Sequence, residues 1–188
     1  MPGTDDIHTL PDDLPVPEDD GAADHLPGSM LPQLTLDSTQ GPLSLRALSQ
    51  SLLVLYVYPR AGRPGREMPA GWNEIPGARG CTPQSLGFRH TYDRFRELGT
   101  EVAGLSAQTL DDQREFAERN AIPYPVLADP DLRLAAALRL PTFEVEGTRL
   151  YKRMALVVEA CAIAKVFYPV FPPNENAAAV LAWLEARA

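Results

Sequence analysis

The sequence is short of cysteine. Only two of its 188 residues are cysteines, Cys81 and Cys161, and they lie far apart with no C-x-x-C pair. This spacing argues against both a disulfide framework and a structural zinc site. The three histidines form no cluster with them. Any cysteine chemistry therefore depends on one thiol, or on exchange between two.

Long apolar runs and a targeting segment are also missing. No uninterrupted apolar run approaches the ~18 residues that a membrane span needs. The longest one, residues 52–58, has the length of a buried strand. The first residues contain neither a basic start nor an apolar stretch, so no secretory signal is predicted. These absences predict a cytoplasmic protein without a membrane partner.

Lys and Arg are absent from residues 1–29, which carry eight of the 25 acidic residues. That segment is also rich in proline and glycine, a composition that cannot offset its ordering entropy. We therefore predict a flexible acidic extension over residues 1–29 and a domain over residues 30–188; a partner-binding role for the extension is the alternative. In the domain the other 17 acidic residues match 17 Lys and Arg, and this balance gives no indication of nucleic-acid binding.

Short strands alternate with helices from Leu31 onward. Strands are predicted at residues 33–36, 51–58, 101–106, 124–127, 142–145, 150–159 and 163–168, and helices at 44–48, from 82 to near 99, and at 111–120, 131–138 and 176–187. This order predicts an α/β sandwich with β-α-β units first and an antiparallel addition at the end. Residues 60–80 contain three prolines and five glycines, which predicts a long loop. A loop of this length is usually functional.

Cys81 lies between that loop and a predicted helix. Thr82 is a good N-cap residue, and Pro83 is favoured at the first helical position. The unpaired N–H groups and the positive dipole end of a helix N-terminus stabilise a thiolate, the nucleophilic form of cysteine. The alternative is a buried structural cysteine, because free cysteines are among the most buried residues.

Several separate pieces of the sequence occur in a specific order. A strand ends in Tyr58-Pro59, Gly80-Cys81-Thr82 follows the loop, and Phe88-Arg89 lies on the next helix; further pieces are residues 104–106, residues 124–129 and Arg153 before the strand 154–159. Together they resemble the peroxiredoxins, in particular the bacterioferritin-comigratory or Q-type branch, over roughly residues 31–187. The resemblance implies a thioredoxin-like fold with a central mixed sheet flanked by helices. It also implies reduction of hydrogen peroxide or organic hydroperoxides, with no metal or organic cofactor.

The resemblance assigns roles to two residues. Cys81 matches the peroxidatic cysteine, which becomes a sulfenic acid and is restored by a thioredoxin-type protein or a small thiol. Arg153 matches the arginine beside it. A guanidinium stays charged, favours the thiolate and donates to peroxide oxygens as negative charge develops. A monomer or homodimer is expected.

The chain departs from the family around Cys81. Peroxiredoxins normally have Thr or Ser three residues before this cysteine, where this chain has Ala78, so the hydroxyl is absent unless Thr82 or another loop residue replaces it. The loop 60–80 is longer than usual. Either its residues 72–74 cover or rebuild the pocket, with Arg79 adding positive charge, or the loop is a surface insertion or a subunit contact. Gln84 replaces the family's Glu. His90 is interpreted as a solvated or packed helical residue.

The chain also departs from the family at the position of the resolving cysteine, which completes turnover. Many Q-type enzymes have a resolving cysteine five residues after the peroxidatic one, where this chain has Leu86. Cys161 follows Arg153 by eight residues, about 26 Å of extended chain, whereas a disulfide needs Cα atoms within about 7 Å. We therefore expect a one-cysteine mechanism. An atypical two-cysteine peroxidase, with Cys161 resolving Cys81 within or between subunits, stays open as the alternative.

Two other functions are compatible with these residues. A non-catalytic peroxide sensor or holdase on the same fold is slightly favoured by the missing hydroxyl at Ala78. A thiol–disulfide oxidoreductase is disfavoured by the lack of a C-x-x-C pair.

Overall fold

The structure is a computed structural model and describes residues 8–188. The strands in that range are β1 (Thr35–Ser38), β2 (Leu43–Ser44), β3 (Leu52–Val57), β4 (Thr100–Ser106), β5 (Val126–Ala128), β6 (Thr142–Val145), β7 (Thr148–Tyr151), β8 (Met154–Glu159) and β9 (Ala162–Phe167). The α-helices are α1 (Leu45–Leu48), α2 (Cys81–His90), α3 (Tyr92–Glu97), α4 (Leu110–Arg119), α5 (Arg133–Leu138) and α6 (Asn176–Glu185). Among the described helices, none is both long and apolar enough to cross a membrane.

A seven-stranded mixed sheet forms the centre, in the order β2-β1-β5-β4-β3-β8-β9. Strands β3, β4 and β5 are parallel neighbours, whereas β8 and β9 add antiparallel strands on the other side of β3. Strands β6 and β7 form a separate hairpin. The expected α/β fold with a central mixed sheet and an antiparallel addition is confirmed.

Strand β3 lies at the middle of the core because both of its faces are apolar. Leu53, Leu55 and Val57 pack into the cluster on one face of the sheet. Val54 and Tyr56 pack into the cluster on the other face, which also contains Cys81. The uninterrupted apolar run of this strand, unlike an alternating one, predicts burial on both faces, as observed.

The predicted helix after the loop differs from the observed one at both ends. It begins at Cys81 instead of Thr82, and its N-cap is Gly80, whose φ of 108° lies in the left-handed region. Thr82 is therefore not the cap. A Cβ at Gly80 would collide with Pro173 Cγ, so both the φ and the packing require glycine. The helix also breaks at Thr91, whose Oγ1 donates to the carbonyl of Gly87 at 2.8 Å, a bond that bends helices.

Two of the predicted strands also differ from the observed ones. The first strand is shifted from residues 33–36 to Thr35–Ser38. The predicted strand 150–159 is two strands, β7 and β8, interrupted at Lys152 and Arg153. Because β7 pairs with β6 and β8 pairs with β3, the chain must change sheets at these two residues.

Residues 8–29, predicted to be part of a flexible extension, contact the domain instead. Leu26 is fully buried in the core, and Ala23 joins the same cluster. The N–H of Gly28 donates to the carbonyl of Ile163 at 2.8 Å. Composition missed this docking because a few apolar residues carry it within an acidic segment. The predicted boundary between residues 29 and 30 stays a prediction, and residues 1–7 lie outside the described range.

Asp20 links the same segment to Lys152, the residue before Arg153. Lys152 Nζ lies 2.8 Å from Asp20 Oδ2, and the Tyr168 hydroxyl donates to Asp20 Oδ1 at 2.8 Å. The hydrogen bond from Lys152 is the main reason that the pKa of Asp20 lies well below its usual range. The pair is partly exposed, so it orients the segment more than it stabilises the fold.

Replacing Leu26 with alanine tests whether this segment is docked. We expect Leu26→Ala to lower the free energy of unfolding by about 2–5 kcal/mol, because it leaves a cavity in the core. Val16→Ala is the matched control from the same segment: Val16 is 63% exposed, and its truncation should change stability by less than about 0.5 kcal/mol. Urea denaturation measures both. Equal stability of the two variants would mean that the segment is not docked.

Candidate active site

Cys81 is the first residue of α2 and is almost completely buried, with 4% of its surface exposed. Its Sγ lies 3.7 Å from the carbonyl oxygen of Ala78 and 3.3 Å from Nη2 of Arg153. The first N–H groups of a helix have no partner within the helix and form the positive end of its dipole. The thiol therefore faces two sources of positive potential, the helix N-terminus and the guanidinium.

Arg153 is 3% exposed, and its guanidinium holds the loop before Cys81 in place. It donates to the carbonyl oxygens of Gly77 at 3.1 Å, Ala78 at 2.8 Å and Arg79 at 3.2 Å, and to Cys81 Sγ. The sheet explains its position: β8 pairs with β3 so that Met154 faces Val57. Arg153 therefore stands at the end of β3, where the loop to Cys81 begins. The structure brings the two predicted residues together.

Gln84 connects Arg153 to the C-terminal helix. It is fully buried, accepts a hydrogen bond from Arg153 Nη1 at 2.6 Å and donates one to Asn176 Oδ1 at 2.9 Å. Because its oxygen must face the guanidinium, its NH₂ group must face Asn176. A glutamate at this position would cancel part of the guanidinium charge, whereas the neutral amide leaves that charge directed at the thiol. Sequence reasoning noted Gln84 but not Asn176, which lies 92 residues away.

Buried aromatic residues of α2, of β3 and of the segment before β5 pack against one another beside Cys81. The rings of Tyr56 and Phe88 stack with centroids 4.5 Å apart. The Tyr124 hydroxyl donates to the carbonyl of Ser85 at 2.8 Å and lies 3.1 Å from the Tyr56 hydroxyl. Burial raises the pKa of Tyr56 to about 12 and that of Tyr124 well above its usual value. These hydroxyls therefore stay neutral at physiological pH and place no negative charge beside Cys81.

Cys81 opens into a small cavity of about 20 Å³. The cavity is lined by Cys81, Thr82 and Gly80 of the helix start and by Arg60, Gly62, Met68, Trp72 and Arg79 of the loop. Thr82 thus lies at the cavity, and its role as the replacement for the missing hydroxyl stays a prediction. Ala78 contributes its carbonyl group to the site, not a side-chain hydroxyl.

The loop 60–80 forms a wall of the cavity. Its residues Trp72–Glu74 make a single 3₁₀ turn, and Trp72 is buried against the β6–β7 hairpin, with its ring centroid 6.2 Å from that of Phe143. Of the interpretations left open by the sequence, this arrangement favours a rebuilt pocket over a surface insertion, and the subunit contact stays a prediction. Sequence reasoning had a signal here, a tryptophan in a loop rich in glycine and proline.

Cys161 lies far from this site. It occupies the turn between β8 and β9, and its Sγ contacts the carbonyl oxygen of Arg46 at 3.4 Å. In the pairing of β3 with β8, Leu52 faces Glu159, so Cys161 lies beside the start of β3 whereas Cys81 follows its end. Both thiols are free. His90 is exposed on α2, consistent with its interpretation as a solvated residue.

Known proteins with similar sequences and structures point to one family. The sequence profile of the Redoxin family matches residues 26–181. The chloroplastic peroxiredoxin Q of Sedum lineare is 28% identical over 142 residues, which cover 75% of this chain and 67% of that protein. Peroxiredoxin bcp1 of Schizosaccharomyces pombe is 32% identical over 105 residues, which cover 55% of this chain and 46% of that protein. The chain thus spans about two thirds or less of the length of these relatives.

Solved structures agree with the sequence comparison. Peroxidoxin BcpB of Mycobacterium tuberculosis superposes with a TM-score of 0.71 at 25% identity, covering 87% of this chain and 99% of that one. PrxQ of Xylella fastidiosa, at 20% identity, shares the fold with a TM-score of 0.70 over 87% of this chain and 98% of that one. The site of this chain has a buried cysteine at a helix start and an arginine 3.3 Å from its sulfur. Because the family profile and these relatives match it as well, the chain belongs to the Redoxin family and, within it, to the Q-type peroxiredoxins, a family of thiol peroxidases.

Proposed function

We propose that this chain reduces peroxides through a sulfenic acid at Cys81. The observation that carries the proposal is the position of Cys81 Sγ, 3.3 Å from Arg153 Nη2 at the start of α2 and open to a cavity. A guanidinium at this distance can donate a charge-assisted hydrogen bond to the attacking sulfur. The same donor is available to an oxygen that gains negative charge as the O–O bond breaks.

The reaction balances with the residues at hand. The thiolate sulfur attacks one peroxide oxygen, the O–O bond breaks, and the other oxygen leaves as water or an alcohol after taking up the proton that the thiol released. Cys81 is oxidised to a sulfenic acid as the peroxide is reduced. A thiol of the reductant then attacks the sulfenic sulfur and displaces water, and a second thiol resolves the mixed disulfide.

The reductant is proposed to come from outside this chain, as a thioredoxin-type protein or a small thiol. The positions of the two cysteines at opposite ends of β3 support a one-cysteine mechanism, because a Cys81–Cys161 bond within one subunit would require the strands between them to separate. The cytoplasmic location, and the choice between monomer and homodimer, stay predictions from the sequence.

Replacing each cysteine with serine separates their roles. We expect Cys81→Ser to abolish steady-state consumption of peroxide in the presence of a thiol reductant, because serine has no accessible anion at neutral pH. Cys161→Ser is the matched control, since it changes the other thiol by the same single atom, and it should keep most of the wild-type rate. Turnover by Cys81→Ser would contradict the assignment. A wild-type protein that is oxidised once and then stops would indicate a sensor, the function favoured by Ala78.

Arg153 variants test the electrostatic part of the site. In a Cys161→Ser background, Arg153→Met should slow the reaction of Cys81 with peroxide by about 10²–10³-fold, the usual loss when one preorganised donor is removed. Its alkylation by iodoacetamide should also slow, because the sulfur loses the charged donor beside it. Arg153→Lys should fall between, because it keeps the charge but not the planar set of donors.

Mass spectrometry after quenching measures both rates, and circular dichroism checks that the variants are folded. Unchanged alkylation and peroxide kinetics in folded Arg153→Met would place this arginine outside the chemistry.

Peptide mapping of the oxidised protein tests the one-cysteine mechanism. After one equivalent of peroxide and no reductant, we expect Cys81 as a sulfenic acid that is trapped by dimedone, with Cys161 still a free thiol. A Cys81–Cys161 peptide from a monomeric band on a non-reducing gel would establish an atypical two-cysteine mechanism instead. The same peptide from a dimeric band would assign resolution to the neighbouring subunit.

A further inference from the structure

The cavity at Cys81 is very small for a site that acts on peroxides of any size. Its volume is about 20 Å³, whereas a cavity needs roughly 10–15 Å³ to hold a single water molecule. We propose, as an extension of the function above, that this cavity selects hydrogen peroxide against organic hydroperoxides with branched or aromatic groups, and that Trp72 is the residue that sets this selectivity.

Trp72 is restricted in its position, because hydrogen bonding fixes its backbone and packing fixes its ring. Gly71, with a φ of 70°, turns the chain into the 3₁₀ turn, and the N–H of Trp72 donates to the carbonyl of Pro69 at 3.2 Å. The indole is buried and forms an apolar cluster with Ala78 and with Leu150 of the β6–β7 hairpin. Moving the ring to admit a larger substrate would expose this cluster, at a cost of about 25 cal/mol for each Å² of apolar surface.

Two charged residues make the lining of the cavity unfavourable for an apolar group. Arg60 and Arg79 line it together with Met68, and the Arg79 guanidinium donates to Asn73 Oδ1 at 3.4 Å and to the carbonyl of Thr9 at 3.5 Å. An alkyl or aryl group placed against these residues would reduce their exposure to water without supplying a hydrogen bond. Hydrogen peroxide, with hydrogen-bonding oxygens at both ends, has no such penalty.

A larger cavity nearby does not provide an alternative place for an organic group. It has a volume of about 450 Å³ and is lined mainly by the N-terminal segment, residues 75–77 of the loop and residues 168–170. Cys81 is not among its lining residues, whereas Gly77 and Arg153 are. Arg153 Nε is bonded to the carbonyl of Gly77 at 3.1 Å. This space therefore borders Arg153 and the loop, and Cys81 itself opens into the small cavity instead.

The test compares kcat/KM for hydrogen peroxide, tert-butyl hydroperoxide and cumene hydroperoxide with one thiol reductant. For the wild type we expect hydrogen peroxide to be favoured over cumene hydroperoxide by at least about 100-fold, the upper range of discrimination by pocket size. Trp72→Ala should raise the ratio of kcat/KM for cumene hydroperoxide to that for hydrogen peroxide by about tenfold or more, because it removes the wall.

The chain offers a matched control in its other tryptophan, Trp183. It lies on α6 under the guanidinium of Arg187 and does not line the cavity. Trp183→Ala should therefore leave the ratio unchanged. Trp72→Leu keeps an apolar side chain against Ala78 and Leu150, so it serves if Trp72→Ala does not fold, and it should raise the ratio in the same direction by a smaller factor.

The outcomes separate this inference from the proposed function. If the wild type reduces cumene hydroperoxide as fast as hydrogen peroxide, or if folded Trp72 variants leave the ratio unchanged, the selectivity proposal is overturned and the peroxidase function stands. If none of the three peroxides oxidises Cys81, as measured by the mass of the protein, both proposals are overturned.

Discussion

The rest of the site depends on the hydrogen bonds that the buried guanidinium of Arg153 donates. Burying a positive charge is costly unless its hydrogen-bonding groups find partners. Three consecutive loop carbonyls, the oxygen of Gln84 and the sulfur of Cys81 supply those partners. Within residues 8–188 no carboxylate pairs with this guanidinium. Its charge is therefore balanced by dipoles alone, and one of its N–H groups is directed at the sulfur of Cys81.

The fold delivers these partners from distant parts of the chain. Strand β8 fixes Arg153 at the end of β3, and the loop that leaves β3 returns to wrap its carbonyls around the guanidinium. Asn176 attaches the start of α6 to the same network through Gln84. Leu10 and Pro173 pack against Gly80 directly before Cys81. The N-terminal segment and the turn before α6 thus both pack against Gly80, the N-cap of α2, so the thiol is positioned by several parts of the domain and not by the loop alone.

Local patterns predicted much of this structure, and the failures have a common cause. The apolar run of β3 identified the central strand, and the order of elements identified the α/β fold. The resemblance to peroxiredoxins supplied Cys81 and Arg153. Wrong or missing predictions involve contacts between distant residues: Gly80 caps α2 because Pro173 leaves no room for a side chain, and Leu26 docks because the core has a site for it. Neither signal is present in the neighbouring sequence, where Thr82-Pro83 and the acidic composition point elsewhere.

The two departures from the family around Cys81 have one physical explanation. Ala78 replaces a hydroxyl residue, and the loop before it is long and contains Trp72. In the structure these changes meet, because Ala78 is fully buried in the apolar cluster with Trp72 and Leu150. A hydroxyl buried in such a cluster without a partner would cost about 1–3 kcal/mol. Once Trp72 closes the pocket, an apolar residue at position 78 is therefore favoured, while its carbonyl still binds Arg153. The lost hydroxyl and the added wall are thus parts of one rearrangement, in which position 78 packs its side chain against Trp72 and contributes only its carbonyl group to the site.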